Sequence, residues 1–297
     1  MSSAAPPTLA TTPATPATTA AAPTPMTVPA LQQMKREGKK IVGVVAWDWQ
    51  MAQIVDRAGV DIVSVGDTVG INLWGHANPL EVTMEEMLIV TKAVRRGVKR
   101  ALVSVDFPFG PLQEGPEAAL RAAIRFVKEA GVDMVKLDGA AEFPEAVAAI
   151  TRAGIPVFAQ FGITPQTALK HGIDYKNTLK VGVQLPPTLT AQLVAEAQRL
   201  EAAGAALLDF THSGPVAGPA VVAAVKIPVI GGLGGGPWLD GRVRLVNAAL
   251  GYAAATIDHP PETYAYAAQT ALDAITELVG DVRAGRQIKG GIAIQVN

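Results

Sequence analysis

Acidic residues stand at or just after the ends of several short apolar runs in this chain. These residues are Asp67, Asp106, Asp138 and Asp209, and Lys136 lies two positions before Asp138. Carboxylate oxygens suit a hard divalent cation such as Mg²⁺ better than they suit zinc. A lysine beside them offsets part of the negative charge and offers a partner for an anionic substrate. Brought together by the fold, these side chains could hold a cation and a small acid.

Any single aspartate among the four has a simpler interpretation, because aspartate is common as a helix N-cap or in a surface ion pair. Four acids and a lysine at the ends of consecutive predicted strands are harder to explain in that way, because perturbed carboxylates cluster at functional sites. Lys136 and Asp138 are two residues apart, so both side chains point to the same side of a strand. The pattern therefore favours one shared site.

The apolar runs alternate with amphipathic segments along the chain. Strands are predicted at 41–47, 61–65, 101–105, 132–137, 156–161, 206–210 and 228–231, with an eighth around 242–247. Helices are predicted between them, for example at 84–96, 117–129, 140–152 and 190–203. Repeated strand–helix units indicate a parallel sheet flanked by helices.

A glycine that ends a helix recurs just before several predicted strands, at Gly59, Gly131, Gly154 and Gly204. Eight such units predict a single (β/α)₈ TIM barrel, and a doubly wound open sheet is the alternative if one strand is miscounted. The carboxyl ends of the strands of a barrel converge on one face. In a barrel, the acidic residues and the lysine would therefore meet.

Composition narrows the functional classes. The chain has 297 residues, 25 Lys and Arg against 26 Asp and Glu, and 49% hydrophobic residues, which is enough to bury a large core. A net charge of -1 argues against nucleic acid as the main partner, and no uninterrupted apolar run is long enough to predict a membrane span. The absence of cysteine rules out disulfides and thiolate zinc sites and fits a reducing, cytoplasmic location.

The first thirty residues differ from the rest of the chain. Residues 1–30 contain 9 Ala, 8 Thr and 7 Pro and no charged residue. This composition predicts a flexible tail, because proline removes backbone donors and no periodic large apolar residues are present. The sequence thus predicts a tail at 1–30 and one catalytic barrel domain at 31–297.

Several segments resemble the ketopantoate hydroxymethyltransferase family of the phosphoenolpyruvate/pyruvate barrel superfamily. The segment VGDTVGINLWGHANPLEVTMEEMLIVTKAVRRG at 65–97 is similar to the longest family signature. Shorter matches are VSVDFPFG at 103–110, VKLDG at 135–139, FGITPQT at 161–167 and GGLGGGPWLDGRV at 231–243. The matches are collinear from about residue 41 to residue 246, which is a strong indication of a shared fold and a weaker one of a shared substrate.

The resemblance implies an Mg²⁺-dependent enzyme of pantothenate biosynthesis that forms large homo-oligomers. Such enzymes transfer a hydroxymethyl group from 5,10-methylenetetrahydrofolate to the 2-oxo acid 3-methyl-2-oxobutanoate, giving 2-dehydropantoate. By position, Asp67 and Asp106 match the two direct metal carboxylates, and Asp138 matches a glutamate of the metal site. Thr68 and Lys136 match residues that bind the substrate carboxylate, so they are predicted substrate contacts.

Three departures from the family pattern, one in the metal site and two at positions that handle protons, make the chain a divergent member. Asp209 stands where the family has its glutamate base, and it is therefore the predicted catalytic base, with Lys136 as its catalytic partner. Asp138 and Asp209 are each one methylene shorter than the family's glutamates, which alters their reach by over about 1 Å. Gln160 replaces a family histidine and is a predicted substrate contact.

His212, three residues after Asp209, has no counterpart in the family pattern and is also predicted to bind substrate. It could restore the imidazole lost at Gln160, although an exposed loop histidine is the simpler interpretation. Two further functions stay open: a folate-independent aldolase or lyase acting on a related 2-oxo acid, and a non-catalytic barrel.

Overall fold

The computed structural model describes residues 24–174 and 187–290 and closes eight parallel strands into one barrel. The strands are β1 Ile41–Val45, β2 Ile62–Val65, β3 Leu102–Asp106, β4 Met134–Leu137, β5 Val157–Gly162, β6 Leu207–Thr211, β7 Val229–Gly231 and β8 Gly241–Leu245. Pairing of β8 with β1, from Gly241 opposite Ile41 to Leu245 opposite Val45, closes the sheet. The predicted TIM barrel is confirmed, and the open sheet is excluded.

Helices connect the strands and cover most of the outer surface of the barrel. Within the described ranges the α-helices are α1 Val28–Arg36, α2 Trp49–Arg57, α3 Val69–Leu73, α4 Met84–Gly97, α5 Pro116–Arg125, α6 Pro144–Arg152, α7 Thr190–Ala202, α8 Ala217–Ala224, α9 Val246–Leu250, α10 Ala255–Asp258 and α11 Ala267–Arg283. A π-helical turn, Phe126–Ala130, extends α5. The four helices predicted from periodicity are therefore present, with small shifts at their ends.

Local sequence signals account for where the helices begin and end. Thr83 and Glu86 form a reciprocal capping box at the start of α4, and the Asp48 carboxylate accepts the Met51 N–H at the start of α2. The four predicted helix-ending glycines all have positive φ, between 67° and 98°: Gly59, Gly131, Gly154 and Gly204. Side chains other than glycine rarely adopt this conformation, which explains why the motif recurs before strands.

Parallel strands covered by helices are buried on both faces, and β2 to β6 follow this rule almost throughout. The outer face of β1 and β8 does not. Val63 of β2 and Val103 of β3 lie on the outside of the barrel and are fully buried, whereas Val42 of β1 is 48% exposed. A groove of about 790 Å³ runs along this face of β1 and β8. Among the described residues, no helix of the chain fills it.

The predicted end of the tail, at residue 30, is wrong. Helix α1 begins at Val28, Thr27 accepts the N–H of Ala30 as its N-cap, and the Met26 N–H donates to the Arg100 carbonyl at 2.7 Å. Pro29 lies in the first turn of the helix, where its missing N–H costs no hydrogen bond. The prediction from proline content therefore placed the end of the tail inside helix α1. Residues 1–23 of the predicted tail, and residues 175–186 and 291–297 of the predicted domain, lie outside the described residues.

Across residues 24–174 and 187–290, none of the helices has the length and apolar character needed to cross a lipid bilayer.

Candidate active site

A cavity of about 120 Å³ opens at the carboxyl ends of the barrel strands. Seven of the eight predicted site residues line it: Asp67, Thr68, Asp106, Lys136, Asp138, Gln160 and Asp209. The volume equals that of about four water molecules, which suits a small acid rather than a nucleotide. The convergence expected from the strand ends is therefore present, although these residues span 143 positions of the sequence from Asp67 to Asp209.

The strand register explains why these side chains are neighbours. Asp106 of β3 is paired with Lys136 of β4, and Gln160 of β5 is paired with Asp209 of β6. Asp67 follows the last residue of β2 by two positions. Parallel pairing places the two residues of each pair at the same height on adjacent strands, so the members of each pair are neighbours on the cavity wall.

Lys136 is buried and lies between two carboxylates. Its Nζ is 3.3 Å from Asp106 Oδ2 and 3.2 Å from Asp209 Oδ2, and it stands over the Phe158 ring at 5.6 Å from the centroid. Burial opposes the charged ammonium, but the nearby carboxylates of Asp106 and Asp209 outweigh that effect and raise the pKa of Lys136. The lysine therefore stays charged and links β3 to β6 across the cavity.

The site holds more negative charge than Lys136 can offset. Burial, with the repulsion of Asp106 and then of Asp138, raises the pKa of Asp67 to about 8. Burial also raises the pKa of Asp138 to about 7 and raises that of Asp106. The site has four buried carboxylates and one ammonium group, so its negative charge is not balanced. A bound cation would supply the missing positive charge.

The donor set fits a hard divalent cation held by two carboxylates. Asp67 and Asp106 both line the cavity, and the negative charge of Asp106 helps to raise the pKa of Asp67. Within the described residues, no group of three carboxylates or imidazoles converges at ligating distance. Oδ1 of Asp138 and Oδ1 of Asp209 are buried and accept no hydrogen bond from any described residue. Two protein ligands completed by substrate and water oxygens match this arrangement and the preference of Mg²⁺.

His212 is the predicted site residue that the structure does not bring to the cavity. It follows β6 directly, is only 2% exposed and has a φ of 52°. Its N–H donates to the Leu233 carbonyl at 2.7 Å, and its ring lies against Gly234 of the glycine-rich loop. The exposed-loop interpretation is therefore wrong. His212 contacts the loop after β7 and is not among the residues that line the cavity. Its role in substrate binding stays a prediction.

Two residues that build the site were not selected from the sequence. The Trp47 indole N–H donates to the Gly66 carbonyl at 2.9 Å and so supports the turn that carries Asp67. The Gln166 side chain donates to Asp67 Oδ2 at 2.9 Å. Gln166 lies in the segment FGITPQT, which was recognised as a motif. The sequence therefore offered one signal for Gln166: it is a polar residue within a recognised motif, although it does not end a predicted strand.

We expect the free energy of unfolding of the metal-free protein to decrease as the pH rises from about 4 to about 8. The raised pKa values of Asp67 and Asp138 mean that the native state holds protons that the unfolded state has released, so each group contributes a slope of at most about 1.4 kcal/mol per pH unit. Mg²⁺ requires the deprotonated carboxylates, so its stabilising effect should be larger at pH 8 than at pH 5.

Thermal unfolding at both pH values, with and without Mg²⁺, measures this difference. The variant Asp67→Asn removes the group with the most strongly raised value, so its metal-free stability should depend less on pH. Equal Mg²⁺-induced shifts in Tm at pH 5 and pH 8 would contradict the expectation.

Comparison with known proteins adds to this geometry. A family model described as ketopantoate hydroxymethyltransferase matches residues 25–287. The 3-methyl-2-oxobutanoate hydroxymethyltransferase of Cyanothece sp. is 39% identical over 263 residues, covering 87% of this chain and 96% of the relative. Identity at this level over nearly the whole length of both chains indicates common descent rather than a shared barrel alone.

Solved structures resemble the fold at lower identity. A 2,3-dimethylmalate lyase of the PEP mutase/isocitrate lyase superfamily has a TM-score of 0.57 at 15% identity, covering 91% of this chain and 93% of its own. Phosphonopyruvate hydrolase in complex with oxalate and Mg²⁺ has a TM-score of 0.55 at 15% identity, with the same coverage. These two likenesses show the barrel fold alone. On the family match and the close relative, the chain belongs to the ketopantoate hydroxymethyltransferase family.

Proposed function

We propose that this chain catalyses Mg²⁺-dependent hydroxymethyl transfer from 5,10-methylenetetrahydrofolate to 3-methyl-2-oxobutanoate, with 2-dehydropantoate and tetrahydrofolate as products. One observation carries the proposal: Asp67, Asp106, Lys136 and Asp209 line one small cavity in a member of this family. A non-catalytic barrel would have no physical reason to keep four buried ionisable groups facing a cavity. This interpretation is therefore disfavoured.

Binding and orientation of the 2-oxo acid fall to residues around the cavity. Thr68 and Lys136 would bind the substrate carboxylate, and the Gln160 amide lies on the wall beside Asp209. Asp67 and Asp106 would hold the metal, with Asp138 beside them on the cavity wall. When bound, Mg²⁺ would polarise the keto oxygen and stabilise the negative charge that develops on the substrate.

Asp209 is suited to remove the C3 proton of the substrate. Its Oδ2 is held by Lys136 at 3.2 Å, whereas its buried Oδ1 accepts no hydrogen bond from any described residue. The ion pair thus fixes the carboxylate and leaves one oxygen to accept a proton. The electrons of the broken C3–H bond form the enolate. C3 then bonds to the methylene carbon of the folate, both carbon–nitrogen bonds of that carbon break, and water supplies the new hydroxyl oxygen. The proton taken from C3 and the proton released by water end on the two nitrogens of tetrahydrofolate.

An assay with three arms tests the proposal. The purified chain with Mg²⁺ and 3-methyl-2-oxobutanoate receives 5,10-methylenetetrahydrofolate, free formaldehyde, or neither, and products are identified by mass spectrometry. We expect 2-dehydropantoate with the folate donor and a lower rate with formaldehyde. Activity with formaldehyde alone, or turnover only of other 2-oxo acids in a parallel panel, would favour the folate-independent aldolase instead. No turnover in any arm would overturn the proposal.

We also propose that the chain forms a homo-oligomer through helix α11 and the uncovered face of β1 and β8. Apolar side chains along α11 are 38–61% exposed: Leu272, Ile275, Leu278, Val279 and Val282. The groove of about 790 Å³ along β1 and β8 lacks the helix that covers the other strands. Among the described residues, one chain thus presents a helix with exposed apolar side chains and a strand face that no helix covers, and a second copy would supply a partner for each.

Replacing both Ile275 and Val282 by aspartate should therefore reduce the mass of the particle measured by light scattering. Both side chains are more than half exposed in a single chain, so the far-ultraviolet circular dichroism should not change. Thr270→Asp, on the polar side of the same helix, is the matched control and should leave the mass unchanged. A monomeric wild-type protein would contradict this assignment.

The proposed product belongs to pantothenate biosynthesis. A cytoplasmic location and a lack of nucleic-acid or membrane partners stay predictions from composition.

A further inference from the structure

Gln166 contacts three consecutive strand ends of the site at once. Its side-chain Nε2 donates to Asp67 Oδ2 and to the Phe107 carbonyl, each at 2.9 Å. Its backbone N–H donates to Asp138 Oδ2 at 3.2 Å. Asp67 follows β2, Phe107 follows β3 and Asp138 follows β4, whereas Gln166 itself comes from the loop after β5. A single buried residue, 7% exposed, therefore sets the relative positions of two of the predicted metal carboxylates.

The chemistry of the two side-chain partners defines the orientation of the amide. An ionised carboxylate and a backbone carbonyl only accept hydrogen bonds, so the NH₂ end of the amide, with its two protons, must face both of them. The opposite amide orientation would place Oε1 against two acceptors. Each proton thus has one partner, and rotation of the Asp67 carboxylate is restrained through its Oδ2.

The neutrality of this partner distinguishes Asp67 from Asp106 and Asp209. Lys136 forms ion pairs with Asp106 and Asp209, but among the described residues it makes none with Asp67. A neutral amide holds the Asp67 oxygen without cancelling the negative charge of the carboxylate. A lysine at position 166 would compete with a cation for that charge.

We propose that Gln166 is a positioning residue of the divalent-cation site, orienting Asp67 and linking it to Asp138. This inference rests on the proposed function, in which Asp67 and Asp106 hold Mg²⁺. Gln166 does not line the cavity, so it acts through the two carboxylates rather than on the substrate.

The test compares Gln166→Met with the wild-type protein by calorimetric titration with MgCl₂ alone, without substrate. Methionine has a similar length and volume but donates no hydrogen bond. We expect Mg²⁺ affinity to fall by about 10- to 100-fold, the usual cost of losing a group that orients a metal ligand. At saturating Mg²⁺ the variant should recover most of its kcat, because the ligands themselves are intact.

Lys170→Gln is the matched control in the same loop. It removes the exposed ion pair between Lys170 and Glu142 (2.9 Å) and none of the contacts of Gln166, so Mg²⁺ affinity should stay close to wild type. Should Gln166→Met fail to fold, Gln166→Asn keeps the amide but is too short to reach both acceptors, and the same loss of affinity is expected.

The outcomes separate the two proposals. A wild-type protein that does not bind Mg²⁺ would refute the proposed metal site, and the inference about Gln166 with it. A wild-type protein that binds Mg²⁺, together with a folded Gln166 variant that binds it equally well, would overturn the positioning role alone.

Discussion

Replacement of Asp67 by asparagine should abolish measurable Mg²⁺ binding and lower kcat/KM for hydroxymethyl transfer by about 10³-fold or more. Asp67 and Asp106 are the two cavity carboxylates proposed to hold the cation, and a site with two protein ligands should lose the cation when it loses one of them. Calorimetric titration with Mg²⁺ and steady-state kinetics measure the two effects. Asp67→Ala, which removes the whole carboxyl group, should abolish Mg²⁺ binding as well.

The same substitution should not destabilise the metal-free protein. Burial and two neighbouring carboxylates disfavour the charge of Asp67, so a neutral amide of the same shape removes repulsion. The amide oxygen can still accept the Gln166 hydrogen bond, and the Tm without Mg²⁺ should match or exceed that of the wild type. Unchanged Mg²⁺ affinity in Asp67→Asn would refute the assignment of Asp67 as a ligand.

Replacement of Asp209 by asparagine should block the first chemical step while leaving the metal site in place. We expect loss of C3 deuterium exchange from 3-methyl-2-oxobutanoate in D₂O by about 10²- to 10⁴-fold, the usual contribution of a general base. Exchange followed by NMR with Mg²⁺ and without folate isolates this step. Mg²⁺ affinity should change by less than about tenfold, because Asp209 pairs with Lys136 rather than with Asp67.

Two variants control this experiment. Asp133→Asn removes a carboxylate that pairs with Arg95 at 2.8 Å, away from the cavity, and should leave exchange unchanged. Asp209→Glu keeps the negative charge and restores the side-chain length of the family's glutamate base. It should therefore retain far more exchange than Asp209→Asn. Wild-type exchange in Asp209→Asn would show that another group takes the proton.

The sequence predicted the barrel and the convergence of its strand ends because both follow from local rules. Alternating apolar segments predicted all eight strands, and helix-ending glycines such as Gly59 and Gly204 marked the helix-to-strand connections. Once a parallel barrel is assumed, its handedness and register bring Asp67, Asp106, Asp138 and Asp209 to one face. The family motifs then identified most of the cavity wall.

The predicted end of the tail, at residue 30, was placed too far along the chain for a local reason. Proline density extends past the point where the fold begins, and Pro29 is acceptable in the first turn of α1. The contact of the Met26 N–H with the Arg100 carbonyl, 74 positions away, is what ties this segment to the barrel.

Contacts between loops were decided only by the tertiary structure. The sequence determined which residues end the strands, because strand periodicity and glycine caps act over a few neighbouring positions. It could not determine that His212 turns beneath the loop around Gly234, that Gln166 reaches back to β2, or that the face of β1 and β8 lacks a helix. These features depend on how segments far apart in the chain pack together. Hydrogen-bond partners at such distances in sequence are selected by the closed barrel, not by local preference.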